Sequence, residues 1–138
     1  MQGSKLTYSG TLYLGRAAAI SSDGNFGVVG AFYGAYVFTQ SNNQWTFQAS
    51  LLPNDGRHFT AGISVVLNAQ GNIALIGDKL YTGRVYTRTG NTWTQIGNHL
   101  IPQNPVSYGV VGNTIVSMNA AGTIMAVGGP YDNGDVSF

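Results

Sequence analysis

The fold is decided by a polar turn and the apolar run that follows it, Asn68-Ala69-Gln70-Gly71-Asn72-Ile73-Ala74-Leu75-Ile76-Gly77. The same turn, apolar run and closing glycine occur three times: Ser21-Ser22-Asp23-Gly24-Asn25 to Val28-Val29-Gly30, Asn68 to Gly77, and Asn119-Ala120-Ala121-Gly122-Thr123 to Ala126-Val127-Gly128. A second glycine then opens a short strand in each copy, at Gly34, Gly83 and Gly134. Recurrence of one pattern along a chain is the signature of a repeat architecture, so the repeats are interpreted first.

The length of the repeat indicates the class of fold. The closing glycines are 47 residues apart from Gly30 to Gly77 and 51 from Gly77 to Gly128, and a third of the 138-residue chain is 46. This period is typical of a four-stranded β-propeller blade, whose strands we label A to D. Because no stretch keeps the 3.6-residue apolar period of a helix beyond two turns, an all-β chain with three blades is predicted.

The third copy lacks its last strand. Copies one and two continue into Gln44-Trp45-Thr46-Phe47 and Thr92-Trp93-Thr94-Gln95, whereas the sequence ends at Phe138. The N-terminal segment Lys5-Leu6-Thr7-Tyr8, with Leu12, resembles the missing strand D. Reading on from Phe138 to Met1 places Leu6 six residues along, the spacing between Thr87 and Trp93. The chain, residues 1–138, is therefore divided into repeats at about 13–53, 54–102, and 103–138 completed by 1–12.

Three blades do not close a ring, since propellers have roughly four to eight. An open arc would expose an apolar face at each end and leave an unpaired strand edge. We therefore expect the N-terminal strand of a second molecule to complete the third blade, giving a homodimeric six-bladed ring. The residues expected at this closure are Leu6, Tyr8, Leu12, Val136 and Phe138. The alternative is that the chain is a fragment of a longer propeller.

Composition excludes several classes of partner. Only six residues are basic and five acidic, none of them glutamate, and the net charge is +1. Electrostatic capture of nucleic acid or of an anionic membrane is therefore disfavoured, and no apolar run approaches the roughly 20 residues that span a bilayer. The absence of cysteine excludes disulfides and cysteine-ligated zinc. Residues 1–14 carry no signal-peptide pattern, and the compartment stays open, with an extracellular or virion surface compatible with the composition.

These motifs together resemble the FG-GAP repeat of integrin alpha-subunit propellers and related bacterial, fungal and viral proteins. The resemblance rests on Ala61-Gly62-Ile63-Ser64-Val65, on Gly30-Ala31, and on Gly128-Gly129-Pro130. It extends over nearly the whole chain and implies a propeller. It implies no single activity, because propellers host many.

The turns between strands A and B depart from the family pattern. Integrin-type repeats carry an Asp-x-Asp-x-Asp-Gly-like calcium loop there, and calcium needs six or more oxygen ligands. In this chain the three turns contain one carboxylate, that of Asp23. No metal and no other cofactor are predicted.

Catalysis finds little support in the sequence. His58 and His99 fall in or beside predicted loops, without an acidic partner at a recurring spacing, and no glutamate pair is present for acid and base roles. Asp132 and Asp135 flank Asn133-Gly134, a pattern typical of a turn. We therefore expect a protein that is not an enzyme.

Ligand binding is better supported. In an A-B-C-D meander the B–C loops and the D–A connections emerge at the same end of the ring, the end that integrin-like propellers use for ligands. Aromatic residues are present there in every copy, and tyrosine offers a flat apolar face and a hydroxyl while arginine adds directional donors. The predicted ligand-binding residues are Phe32, Tyr33, Arg57, His58, Tyr81, Tyr108 and Tyr131. The alternative for each tyrosine is a wedge between neighbouring blades.

Two functions remain open from sequence. One is a lectin-like module that binds a glycan, or a protein, through these loops. The other is a structural or assembly protein of a surface, capsid or appendage complex that takes no small ligand. Low charge and abundant Asn, Thr, Gly and Tyr suit both.

Overall fold

The computed structural model describes residues 6–9, 13–56, 61–79, 82–101, 114–128 and 136–137. Within these segments the chain forms eleven strands and no helix. The all-β class predicted from the sequence is confirmed. None of the described segments contains a helix long and apolar enough to cross a membrane.

The strands form three antiparallel sheets that follow one another along the chain. Sheet 1 contains β1 (Ala18–Ile20), β2 (Phe26–Gly30), β3 (Ala35–Ser41) and β4 (Gln44–Leu51). Sheet 2 contains β5 (Ala61–Leu67), β6 (Ile73–Asp78), β7 (Gly83–Thr89) and β8 (Thr92–Leu100). Sheet 3 contains β9 (Ile115–Met118), β10 (Met125–Gly128) and β11 (Val136–Ser137). Sheets 1 and 2 are four-stranded meanders, and sheet 3 has the first three strands of the same order.

The repeated turn joins the first two strands of every sheet, and we call it the A–B turn. Gly24, Gly71 and Gly122 adopt φ angles of +74°, +69° and +76° there. Each donates its N–H to the carbonyl oxygen three residues earlier, at 3.0, 3.0 and 2.9 Å. The left-handed conformation is strained for residues with a Cβ, which is why the repeat retains glycine.

Successive A–B turns are linked to one another by backbone hydrogen bonds. The Ser22 N–H donates to the Ala69 oxygen at 3.0 Å, and the Ala69 N–H donates to the Ala120 oxygen at 2.9 Å. These three residues occupy the same place in their turns. One backbone hydrogen bond therefore joins the A–B turn of each sheet to that of the next.

Strand register corrects the alignment of the second glycine of each repeat. Gly30 pairs with Ala35, whereas Gly77 pairs with Gly83, so Ala35 rather than Gly34 is the equivalent of Gly83. The physical reason is the spacing of the paired residues, since five residues separate Gly77 from Gly83 and four separate Gly30 from Ala35. A sequence comparison anchored on glycine alone places strand β7 one residue out of register with β3.

Apolar side chains fill the two spaces between neighbouring sheets. Cluster 1 lies between sheets 1 and 2 and includes Val28, Val37, Leu51, Leu67 and Ile76. Cluster 2 joins sheets 2 and 3 through Leu75, Val116 and Val127. Burial of such surface is the main favourable term in folding, so each sheet depends on its neighbour.

The outward face of sheet 1 carries a third group, cluster 3, built from Ala31, Tyr36 and Phe38. Leu6 packs against it, and the Tyr8 ring lies 5.2 Å from that of Tyr36 and 4.3 Å from that of Phe47. The N-terminal segment thus lies on the side of sheet 1 that faces away from sheet 2.

Candidate ligand-binding site

The loops expected to bind ligand lie at one end of the sheets, which we call the loop end. Since neighbouring strands run antiparallel, the β2–β3 and β6–β7 loops and the segments that enter β1 and β5 all reach this end. The A–B turns lie at the opposite end. The loop end therefore contains Phe32 and Tyr33, the two predicted ligand-binding residues that lie in the described segments.

Phe32 and Tyr33 occupy the β2–β3 loop, and both are half-buried. Their rings meet edge to face with centroids 5.0 Å apart. Tyr13 adds a third ring 5.9 Å from Phe32, and the Arg16 guanidinium carbon lies 5.9 Å from the Phe32 centroid. The arrangement is an aromatic patch with one cation beside it, within the range of cation–π attraction. We call these four residues the aromatic patch.

Backbone hydrogen bonds hold the two segments of the aromatic patch together. The N–H groups of Gly15 and Arg16 both donate to the Gly30 oxygen, at 3.0 and 3.1 Å. In the loop itself, the Ala31 N–H donates to the Gly34 oxygen at 2.8 Å. The rings are therefore carried by backbone that is fixed to the end of β2.

Tyr13 is the most exposed large apolar residue of the described chain, at 71%, and has a φ of +57°. A bulky residue in the left-handed region is an outlier that costs of the order of 1–3 kcal/mol. Burial does not compensate this strain, since most of the ring faces solvent. Such strain at an exposed aromatic residue is a reason to look for function.

The sequence reasoning missed Tyr13 and Arg16 because residues 1–12 were assigned to the closing strand and Arg16 was assigned to strand A, so neither residue was expected to bind ligand. The sequence did contain a pattern that points to Tyr13. An aromatic residue also precedes strand A in the second and third repeats, at Phe59 and Tyr108. Tyr13 precedes strand A in the first repeat.

A second feature of the loop end is a buried ionic cluster around Arg84, whose side chain is 2% exposed. Its Nη1 donates to Asp78 Oδ2 at 2.5 Å and its Nη2 to Asp55 Oδ2 at 3.1 Å. The Thr82 hydroxyl and N–H also donate to Asp78. His99 Nδ1 lies 3.6 Å from Asp55 Oδ2. We call these five residues the Arg84 cluster.

Burial by itself would lower the pKa of Arg84, but hydrogen bonds and charges from Asp78 and Asp55 outweigh it, so the pKa is raised. The guanidinium is therefore permanently charged. Burial also raises the pKa of the neighbouring Tyr86 hydroxyl far above its usual range. Arg84 Nε is buried without a hydrogen-bond partner in the described chain.

The Arg84 cluster joins sheet 2 to the connection between β4 and β5, because Asp78 ends β6, Thr82 lies in the β6–β7 loop, and Asp55 lies in that connection. Its charges are directed at one another rather than at solvent. Through these hydrogen bonds and ion pairs, the cluster connects the segment that follows sheet 1 to sheet 2 at the loop end. No local sequence pattern indicates the cluster, since Asp55 and Arg84 are 29 residues apart.

The polar side chains of the A–B turns form hydrogen bonds within the turns themselves. Asp23 accepts hydrogen bonds from the Ser21 hydroxyl and from the N–H and side-chain amide of Asn25, at 2.6, 2.9 and 2.9 Å. The bond from Ser21 contributes most to a lowered pKa of Asp23. Over the described residues, no three histidine or acidic side chains come together as a metal-binding group.

The remaining predicted residues divide into two groups. Five of the expected ligand-binding residues lie outside the described part of the chain: Arg57, His58, Tyr81, Tyr108 and Tyr131. Of the expected closure residues, Leu12 and Phe138 also lie outside it, Leu6 and Tyr8 lie on sheet 1, and Val136 pairs with Gly128 through β11. The exchange of strands between two molecules stays a prediction.

The sequence matches no protein-family model and no curated protein.

Proposed function

We propose that the protein is a non-enzymatic binding module, a propeller of the FG-GAP type that holds a glycan at its loop end. The observation that carries the proposal is Tyr13, a strained and exposed aromatic residue beside Phe32 and Arg16. Flat sugar faces stack on aromatic rings, and an arginine supplies donors for hydroxyl oxygens. A protein ligand is the alternative occupant of the same patch.

The propeller arrangement is supported by the three consecutive sheets of equal strand order and by the apolar clusters between them. In such a ring the loop ends of all repeats share one side. A glycan with repeated units would then meet several equivalent loops, which raises avidity without any new contact.

A glycan array tests the proposal with the variants Tyr13→Gly and Tyr33→Ala. Tyr13→Gly removes a ring and also relieves the positive φ, so we expect binding to fall at least tenfold while stability is kept or increased. A structural wedge would behave in the opposite way and lose stability. Retained binding by both variants contradicts the proposal.

Asn43→Gly is the matched control. Asn43 also has a positive φ, +61°, but it lies in the β3–β4 turn at the opposite end of sheet 1. The substitution likewise places glycine at a positive φ, away from the loop end. We expect it to leave binding unchanged, which separates loss of the Tyr13 ring from a general change in backbone freedom.

A purely structural role is the second candidate function, and the open face of sheet 3 favours it. Ile115 and Ile124 of that sheet are 63% and 62% exposed. Apolar faces of this kind mark surfaces that join other protein. An array that gives no signal with the wild-type protein would favour this second function over glycan binding.

A further inference from the structure

The contacts that join successive sheets leave complementary hydrogen-bonding groups at the A–B turns of sheets 1 and 3. In the ladder of A–B turns, Ser22 donates to Ala69 and Ala69 donates to Ala120. The Ala120 N–H and the Ser22 carbonyl oxygen have no partner among the described residues. One is a donor and the other an acceptor, at equivalent positions of the repeat.

Packing at the same turns shows the same relation. A Cβ on Gly71 would lie 2.8 Å from the Phe26 ring of the preceding sheet, and one on Gly122 would lie 2.7 Å from Ile73 Cδ1. Each of these two glycines therefore packs against the apolar residue that begins the second strand of the preceding sheet. Gly24 has open space around it, and Ile124, the equivalent of Phe26 and Ile73, is 62% exposed.

Both open faces expose apolar side chains. On sheet 3 a depression of about 270 Å³ is lined by Ser117, Met118, Asn119, Ile124 and Ala126, none of them charged. On sheet 1, Ile20 is 59% exposed, although its equivalent Leu67 is only 8% exposed inside cluster 1. The N-terminal segment lies over β3 and β4 and leaves Ile20 open.

We infer that sheet 3 of one molecule receives sheet 1 of a second copy, with the Ala120 N–H donating to the partner's Ser22 and Ile124 packing under the partner's Gly24. The second copy is the occupant because this chain itself supplies the surface that each sheet already receives from its neighbour. Two such contacts related by a two-fold axis use every open end and close the assembly. The inference does not depend on the glycan proposal.

An engineered disulfide tests the contact directly, because the chain has no cysteine of its own. In the Ser22→Cys/Ala120→Cys variant we expect mild oxidation to link two chains and no more, since each dimer has two such junctions. The control Ser22→Cys/Ala69→Cys joins neighbours whose backbones are already hydrogen-bonded, so it closes within one chain.

Three outcomes of the crosslinking experiment overturn the inference. They are a Ser22→Cys/Ala120→Cys protein that stays reduced while the control oxidises, one that closes within a single chain, and one that gives a ladder of longer polymers. The first two outcomes would show that the two copies do not meet at these residues. The third would show that the assembly does not close with two chains.

Ile124→Asp provides an independent test by placing a charge in the contact. Since Ile124 is exposed within one chain, the variant should fold with an unchanged near-ultraviolet circular dichroism spectrum and sediment as a 14.5 kDa monomer. Ile101→Asp, at a residue 54% exposed near the loop end, should sediment like the wild type. A dimeric Ile124→Asp protein, or equal effects of both variants, contradicts the inference.

Discussion

Gly71 is the residue at which backbone conformation and packing between sheets coincide. It has a φ of +69°, and an added Cβ would lie 2.8 Å from the ring of Phe26. The Arg88 guanidinium carbon also lies 4.0 Å from the centroid of that ring. A side chain at this turn therefore disturbs the contact of sheet 1 with sheet 2 as well as its own sheet.

We predict that Gly71→Ala lowers the free energy of unfolding by about 2–5 kcal/mol. Left-handed strain accounts for roughly 1–2 kcal/mol and the overlap with Phe26 for about 1–3 kcal/mol more. The control Gly90→Ala has a φ of +58° and open space around it, so it should show the strain alone. Urea denaturation compares the two, and equal losses would show that the Phe26 contact carries no energy.

Arg84 is the residue whose removal should be most costly at the loop end. Arg84→Met removes the guanidinium that pairs with the carboxylate of Asp78, whose side chain is 3% exposed. Breaking one partner out of a buried pair typically lowers stability by about 3–5 kcal/mol.

The double variant Arg84→Met/Asp78→Asn provides the check on this interpretation. Because it also removes the negative charge of the buried Asp78 carboxylate, it should unfold at a higher urea concentration than Arg84→Met alone. A double variant that is less stable than the single one would show that the loss comes from packing and not from charge.

At the scale of the element, the A–B turn is built in the same way in sheets 2 and 3. Asn68 Oδ1 accepts from the N–H groups of Asn72 and Ile73, both at 2.9 Å. Asn119 Oδ1 accepts the two equivalent bonds at 2.9 and 3.0 Å. The difference is burial, since Asn68 is 2% exposed and Asn119 is open to solvent.

We predict that Asn68→Ala lowers the free energy of unfolding by about 2 kcal/mol and Asn119→Ala by less than about 1 kcal/mol. Two buried donors lose their acceptor in the first variant, whereas water replaces it in the second. Both are measured by urea denaturation in the Ile124→Asp background, so that the turn of sheet 3 stays open. A larger loss for Asn119→Ala would contradict the argument from burial.

The elements also show what a sequence can predict. The A–B turns were predictable because glycine, asparagine and the apolar run carry the backbone conformation locally. The position of β7 relative to β3 was not, because one additional residue between the paired positions changes which residue pairs with Gly77. At the candidate site, loop aromatics were visible in the sequence, whereas the Arg84 cluster and the strain at Tyr13 depend on tertiary contacts and backbone geometry.

At the scale of the whole molecule, each sheet uses one face to cover its predecessor and the other to accept its successor. Sheet 2 does both, with Ile76 in cluster 1 and Leu75 in cluster 2. Sheets 1 and 3 each retain an open face, at Ile20 and Ile124. The proposed ring follows from continuing this pattern between two molecules, and it also brings six loop ends to one side for ligand.

A tandem fusion of two copies would place all six sheets of the proposed ring in one chain. We predict that the fusion sediments as a compact monomer and melts without dependence on protein concentration, because its open faces meet within the chain. The wild-type protein should instead melt at a higher temperature as its concentration rises. A fusion that associates further would show that two copies do not satisfy the open faces.

Sedimentation equilibrium of the wild-type protein at micromolar concentration tests the central claim, that two copies satisfy each other's open sheets. A single species of about twice the 14.5 kDa chain mass is predicted. A stable, soluble monomer of 14.5 kDa would contradict the account.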